Sequence, residues 1–430
     1  MSLFNTLNTG ASGLGVNGLG LSVTGDNIAN LNTVGFKGSN ANFKDLLTQN
    51  LGGGKGQLGM GAFTGRVRQG FGQGAIETTA NAADLAMDGR GFFQVVDDDG
   101  GRFYTRAGQF SLTAEGDLVS LTGMKLQGYP ASADGTLSTT VGNLTVPNGT
   151  LAGTATTEVA LTASLSGETS FPTGVPAAAP LTFADITNVA ATVTTSTTVY
   201  DSLGNSHQVT LAYTKTATNT WEFRAYVDGG ETTTGTAGVP ELIGTGTMVF
   251  DGNGDLDATA STAPTGTPVT FLGANAQTIG YDFGLAAGDD GALTMRDSTP
   301  ISVTDVDPNG NASGALSSFD IGPDGIVTGI YSNGATRTLG QVVVANFQGE
   351  SYLRRAGNNL WQANPDSGDP AIGVPGTGGR GQTVGYALEM SNVDLEKQFV
   401  KLIQSQKGYQ ASTRIVSTAD DMLQELLQTV

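Results

Sequence analysis

The longest periodic pattern in the chain lies at its end. Leu395, Phe399, Leu402, Gln406, Tyr409, Thr413, Val416, Ala419, Leu423, Leu426 and Val430 follow steps that alternate between four and three, with one short step at Ala419. Such spacing predicts a long amphipathic helix with a coiled-coil seam. Ser391-Asn392-Val393-Asp394 just ahead of it has the form of a capping box, with a carboxylate three residues after the Ser. The polar breaks Gln406 and Thr413 are expected to fix register between helices.

A second stripe opens the chain at Phe4, Leu7, Ala11, Leu14, Gly18, Leu21, Gly25 and Ile28. It has the same alternation and is the expected partner of the C-terminal helix. Gly10, Gly13, Gly15, Gly18, Gly20 and Gly25 oppose helix formation by up to about 1 kcal/mol each. Alone, the segment is expected to be largely unfolded, and both terminal helices are expected to order when copies of the chain assemble.

Between the ends the period changes. Asn30 to about Ile76 reads as loop, most flexible at Gly52-Gly53-Gly54. Short β-branched or aromatic runs with Asp/Gly turns follow, including Phe92–Val96 with Arg102–Arg106 and Phe110–Leu112 with Leu118–Leu121. From about residue 146 to 300 the chain turns rich in Thr, Ala and Gly, and the earlier flavour then returns. The expected fold is mixed and mainly β, with paired N- and C-terminal α-helices and two nested sandwich- or barrel-like β domains. The expected boundaries are 1–32 with 388–430 for the helices, 33–75 for a connecting loop region, 76–145 with 301–387 for an inner β domain, and 146–300 for an inserted outer one.

Composition narrows the function. Gly is 64 of 430 residues, which suits a turn-rich β protein. With no Cys and a single His207, thiolate and most histidine chemistry are excluded. The net charge of −19 argues against a nucleic-acid partner. The acid is concentrated in the middle, leaving ends that are close to neutral. Met1 to Gly25 carries no charged side chain, but its Asn, Ser, Thr and Gly break any apolar run, so neither membrane insertion nor a cleaved signal peptide is expected.

The candidate chemical motifs are weak. Gly13-Leu14-Gly15-Val16-Asn17-Gly18 matches a dinucleotide fingerprint with no strand before it. Asp305-Val306-Asp307-Pro308-Asn309-Gly310 starts like a calcium loop but has Leu316 where the closing Glu belongs. Asp97-Asp98-Asp99-Gly100 reads as a solvated hairpin tip, and His207 as a polar residue at a strand edge. No enzyme activity, catalytic residue, metal site or cofactor is expected.

Five blocks, in order, carry a family resemblance. They are Ala29–Lys37, Asn81–Phe93, Tyr104–Phe110, Leu388–Leu395 and Gln406–Gln410, and they resemble the signatures of bacterial flagellar rod and hook proteins. Asn81-Ala82-Ala83-Asp84 departs from the family, which usually has Pro after the Asn. Within the family, Val199–His207 and Leu339–Phe347 are similar to segments of the longer, hook-type members. The resemblance implies a structural subunit exported unfolded by the flagellar type III apparatus, without signal-peptide cleavage. It would polymerise beneath a cap into a curved tube, a universal joint passing torque from rod to filament. The implied partners are copies of itself, rod proteins, the hook cap, the hook–filament junction proteins and the export apparatus. Subunit contacts are expected at Phe4, Leu7, Leu14, Leu21, Ile28, Leu395, Phe399, Leu402, Gln406, Tyr409, Thr413, Val416, Leu423, Leu426 and Val430. The alternatives are a distal rod-type subunit with an unusual insert, a secreted adhesin, or a secreted glycan-active or calcium-binding β protein.

Overall fold

The computed structural model describes residues 3–46, 49–50, 57–147, 149–168, 173–174, 182–284, 292–296 and 301–428. Gly52-Gly53-Gly54 and Val430 lie outside them. The chain divides into two compact units, one of residues 1–148, 318–330 and 336–430, the other of residues 149–317 and 331–335.

The first unit holds the two long helices, Leu3–Ala29 and Leu395–Gln428. The second of these starts three residues later than the Ser391 capping box implied. Asp394 is the capping residue: its Oδ1 accepts the Lys397 N–H at 3.1 Å, satisfying one of the orphan donors of the first turn. Ser391 instead accepts the Val393 N–H locally at 3.3 Å. The dinucleotide-like glycines, Gly13 to Gly18, lie within the N-terminal helix.

Residues 33–75, expected to be loop, contain an antiparallel ladder between Ser39–Asp45 and Ala62–Gln69. Most of its side chains are exposed, so the apolar alternation that marks a half-buried strand is missing from the sequence.

A sheet runs through Ile326–Tyr331, Thr336–Val342, Lys125–Pro130, Phe92–Val96, Arg102–Thr105, Leu360–Gln362 and Arg354–Gly357. Chain from before the second unit therefore lies at the centre of this run, flanked on both sides by chain from after it. Its core joins Phe92, Tyr104, Phe347, Leu353 and Trp361, with Phe71 packed edge-on against Phe92 and Trp361. The expected hairpins at 92–105 and 110–120 are present.

The second unit has a five-stranded antiparallel sheet of Thr192–Tyr200, Ser206–Ala217, Thr220–Asp228, Pro240–Val249 and Thr262–Gly266. A further sheet pairs Glu158–Ser166 with Gly280–Asp282, Ala292–Arg296 and Ser302–Pro308. The two share a core that includes Leu161, Tyr213, Trp221, Phe223 and Tyr281. Residues 301–317 belong here rather than to the inner domain, because Ser302–Pro308 is bonded along Glu158–Ser166. Asp305 and Asp307 thus sit on a strand, not in a cation-binding loop. His207 is fixed structurally: Nδ1 lies 2.7 Å from Glu231 Oε2, Nε2 lies 3.2 Å from Asp201 Oδ2, and the ring stacks on Phe271.

Candidate assembly surface: the terminal helices and their buried base

The two terminal helices pack antiparallel through small and polar residues. A Cβ added at Gly10 would lie 2.8 Å from Val416 Cγ2, one at Gly13 would lie 2.6 Å from Ser412 Oγ, and one at Gly20 would lie 2.9 Å from Ser405 Oγ. A Cβ at Gly408 would overlap the Asn17 side chain. Further along, Asn27 Nδ2 donates to Gln398 Oε1 at 3.3 Å. The contact positions of the first helix are therefore Gly10, Gly13, Asn17, Gly20 and Asn27, with Thr24 buried among them.

This seam falls one residue before the large apolar stripe, at 10, 13, 17, 20, 24 and 27 rather than 11, 14, 18, 21, 25 and 28. One residue is a turn of about 100°. The C-terminal helix shows the same offset, with Gln398, Ser405, Gly408 and Ser412 against the partner in place of Phe399, Gln406 and Thr413, while the Tyr409 ring lies 3.9 Å from a Cβ added at Gly18. Small residues win the seam because glycine lets the two backbones approach. Leu402, Val416 and Leu423 are half-buried and Ala419 is buried, so the stripe and the seam converge at those positions.

Other large apolar residues of the two helices keep much of their surface exposed. Phe4 is 70% exposed, Phe399 47% and Ile403 54%, and Leu395, Val400, Tyr409, Ile415 and Met422 are also exposed. Leu7, Leu14, Leu21 and Ile28 are half-buried. Helical geometry sets Phe399, Val400 and Ile403 on the side away from the N-terminal helix. The side chains of Leu426 and Val430 lie outside the described residues. Gln406 and Thr413 are exposed, and the Thr413 hydroxyl donates to the Tyr409 carbonyl of its own helix at 2.9 Å. Among the described residues no hydrogen bond from either is seen to cross to the N-terminal helix, whereas Asn27–Gln398 does cross.

The base of the helix pair is a buried charge cluster. The Lys37 Nζ lies 2.6 Å from Glu389 Oε1, and Arg106 Nη1 lies 3.1 Å from Glu389 Oε2. All three side chains are buried. The Gly74 N–H donates to the same carboxylate at 2.8 Å, Lys37 Nζ donates to the Gly72 carbonyl at 2.9 Å, and Arg106 Nη2 donates to the Gly89 carbonyl at 2.8 Å. Burial pushes the Lys37 ammonium below its ordinary value of 10.5; Glu389 opposes that shift and Arg106 adds to it. Gly35 belongs to the same joint: its φ is +67°, its N–H donates to the Glu389 carbonyl at 2.7 Å, and a side chain there would overlap the Arg106–Ala107 backbone.

Two asparagines continue the joint upward. Asn392 accepts the Gly38 N–H at 2.8 Å and donates to the Gly70 and Gly72 carbonyls at 2.6 and 2.9 Å. Asn27 exchanges hydrogen bonds with the Ser39 backbone, both at 2.8 Å. Lys37, Arg106, Glu389 and Asn392 each fall within a sequence block named above, whereas Gly70, Gly72 and Gly74 do not, and the sequence does not show the contacts among them. The available signal was a lone charge within an apolar stretch, as in Val34-Gly35-Phe36-Lys37 and Ala387-Leu388-Glu389-Met390.

Comparisons with known proteins identify the family. Four family models match in succession: "Flagella basal body rod protein" over residues 7–37, "Flagellar hook protein FlgE/F/G D1 domain" over 86–164, "Flagellar basal body protein FlaE D2 domain" over 172–311, and "Flagellar basal body rod FlgEFG protein C-terminal" over 384–429. The flagellar hook proteins FlgE of Salmonella typhimurium and Escherichia coli are each 34% identical, over 97% of this chain and 98% of theirs. That of Borreliella burgdorferi is 30% identical over 99% of both. The crystal structure of Helicobacter pylori flagellar hook protein FlgE2 shares the fold, with a TM-score of 0.53 at 15% identity, covering 73% of this chain and all of that one. By identity, by extent and by the paired terminal helices, the chain belongs to the flagellar hook proteins and is a structural subunit of the hook.

Proposed function

We propose that the outward face of the terminal helices is the surface through which subunits polymerise into the hook tube. The observation that carries this is the exposed apolar face that the C-terminal helix keeps opposite its small-residue seam. One face is closed by the glycine-rich N-terminal helix, while Phe399, Val400 and Ile403 remain exposed on the other. An exposed apolar patch marks an interaction site, and a structural subunit finds the partner for it in its neighbours. The residues named from the sequence then divide between two duties. Leu402, Tyr409, Val416 and Leu423 support the pair, and Phe4, Leu395 and Phe399 serve the contact between copies.

In this reading the close-packed helices and the Lys37–Glu389–Arg106 base carry torsion from rod to filament. The acidic second unit makes wetter contacts that slide as the tube bends. The chain passes the flagellar export apparatus unfolded, and glycine-laden helices of low intrinsic stability suit that route. Rod proteins, the cap and the junction proteins meet the same helical ends. Among the described residues no helix is long and apolar enough to cross a membrane.

The test is electron microscopy of assembled full-length chain beside a version lacking residues 1–32. Tubes from the first and soluble monomer alone from the second support the proposal, and equal assembly by both contradicts it. Deleting residues 149–317 addresses the division of labour: tubes should still form, with altered curvature or stiffness. Normal bending and rigidity in that variant would remove the role given to the second unit.

A further inference from the structure

The first unit contains a cleft of about 650 Å³ lined by Arg68, Phe71, Arg90, Glu350 and Tyr352, among others. It is unusual in so acidic a chain. Arg66 extends its cationic rim, with the guanidinium 4.2 Å from the centroid of the Tyr352 ring. Among the described residues, Glu350 is the one carboxylate lining the cleft. Asp88 stands beside Arg90 and accepts from Gln73 Nε2 at 3.0 Å. Neither Arg68 nor Arg90 has a carboxylate partner among the described residues, and both are exposed.

The complementary feature is the turn Asp97-Asp98-Asp99-Gly100. Asp97 is used internally, accepting the Gly101 N–H, and the turn closes at Gly100 with a φ of +83°. Asp98 and Asp99 are exposed and form no ion pair among the described residues. Nearby Lys125 pairs directly with Asp117 at 2.7 Å and attracts Asp98 only at longer range, and exposed Arg102 is the other cation at that end.

Topology separates the two features. Arg90 immediately precedes the strand Phe92–Val96 and the acidic turn immediately follows it. Val344–Asn346 runs antiparallel to that strand, pairing Val344 with Phe93, which delivers Phe347 to Tyr352 to the Arg90 end. Five strand residues span about 17 Å, so the cleft and the turn stand at opposite ends of one hairpin and cannot meet within a copy. Unlike charges at opposite ends of a rigid element suit a head-to-tail contact, which builds an open helical array when its rotation does not close into a ring. We propose that the Asp98-Asp99 turn of one subunit docks in the Arg68/Arg90 cleft of a second copy of this chain. This rests on the reading of the chain as a self-polymerising subunit. Contacts of this kind set register and the rate of addition more than bulk affinity.

The test uses the full-length chain assembled into hooks in its motile host. Asp98→Lys with Asp99→Lys, and separately Arg68→Glu with Arg90→Glu, should each cut the number of completed hooks at least tenfold. All four changes in one chain should restore assembly, because the charges are again complementary. In parallel, hooks of an Arg68→Lys/Arg90→Lys variant are treated with a carbodiimide. An amide should form between one of the two introduced amines and an Asp98 or Asp99 carboxyl of another copy, with loss of one water. Normal hook numbers from both reversals, failure of the fourfold variant to recover, or assembled hooks of the double-lysine variant without that cross-link would overturn the contact. Assembly of the parent chain reports on polymerisation itself, so the two readings fail separately.

Discussion

Lys37 and Glu389 are separated by 352 residues of sequence and meet at 2.6 Å with no exposed side-chain surface. Arg106 completes the cluster at 3.1 Å. The joint ties the end of the N-terminal helix, the inner sheet and the approach to the C-terminal helix into one body.

Removing the central carboxylate should therefore be costly. In Glu389→Gln, two buried cations lose their counter-charge, and the first unit should lose roughly 3–5 kcal/mol of stability. Denaturant unfolding of the purified chain measures this directly. A change of under about 1 kcal/mol would show that the cluster is dispensable.

The glycines of the N-terminal helix should separate into two classes. Gly15 and Gly25 have nothing within 4 Å of an added Cβ, so Gly15→Ala and Gly25→Ala should raise helix stability by up to about 1 kcal/mol each in the isolated chain. Gly10→Ala meets Val416 and Ile415, and should lower it by forcing the helices apart. Amide hydrogen exchange along residues 3–29 distinguishes the classes, and uniform gains at all three positions would place the seam elsewhere.

The phase of that seam was the part of the helices that the sequence concealed. The period was readable from Leu395, Phe399 and Leu402, because large side chains recur at helical spacing. Periodicity does not say which partner a face meets. Here the intramolecular face is built from Gly10, Gly13, Ser405 and Ser412, whose small size carries little hydropathic signal. The ladder at Ser39–Asp45 and Ala62–Gln69 was missed for the same physical reason, as exposed strands have no apolar alternation. The hairpin around Asp97–Gly100 was legible because its turn chemistry is local. The charged base was not, since three isolated charges reveal their pairing only once the chain has folded.

The start of the C-terminal helix should respond to acid. Hydrogen bonds from the Lys397 side chain and backbone hold the Asp394 carboxyl below its ordinary value of 3.8. A carboxylate with a depressed folded value contributes stability above the unfolded value, and that contribution is lost as pH falls through the folded one. Circular dichroism should show the first turn fraying below pH 3.8 in the parent chain and already frayed at neutral pH in Asp394→Ala. Identical acid profiles for the two would contradict the cap.

In the proposed assembly the outward face of the C-terminal helix joins subunits, while the opposite face joins the chain to itself. A Phe399→Ser/Ile403→Ser double variant measures it most directly. Both side chains are about half exposed in the single chain, so unfolding of the purified monomer should shift by no more than about 0.5 kcal/mol for each change. Hook tubes counted by electron microscopy should be absent. Tubes of normal number and form from that variant would contradict the account.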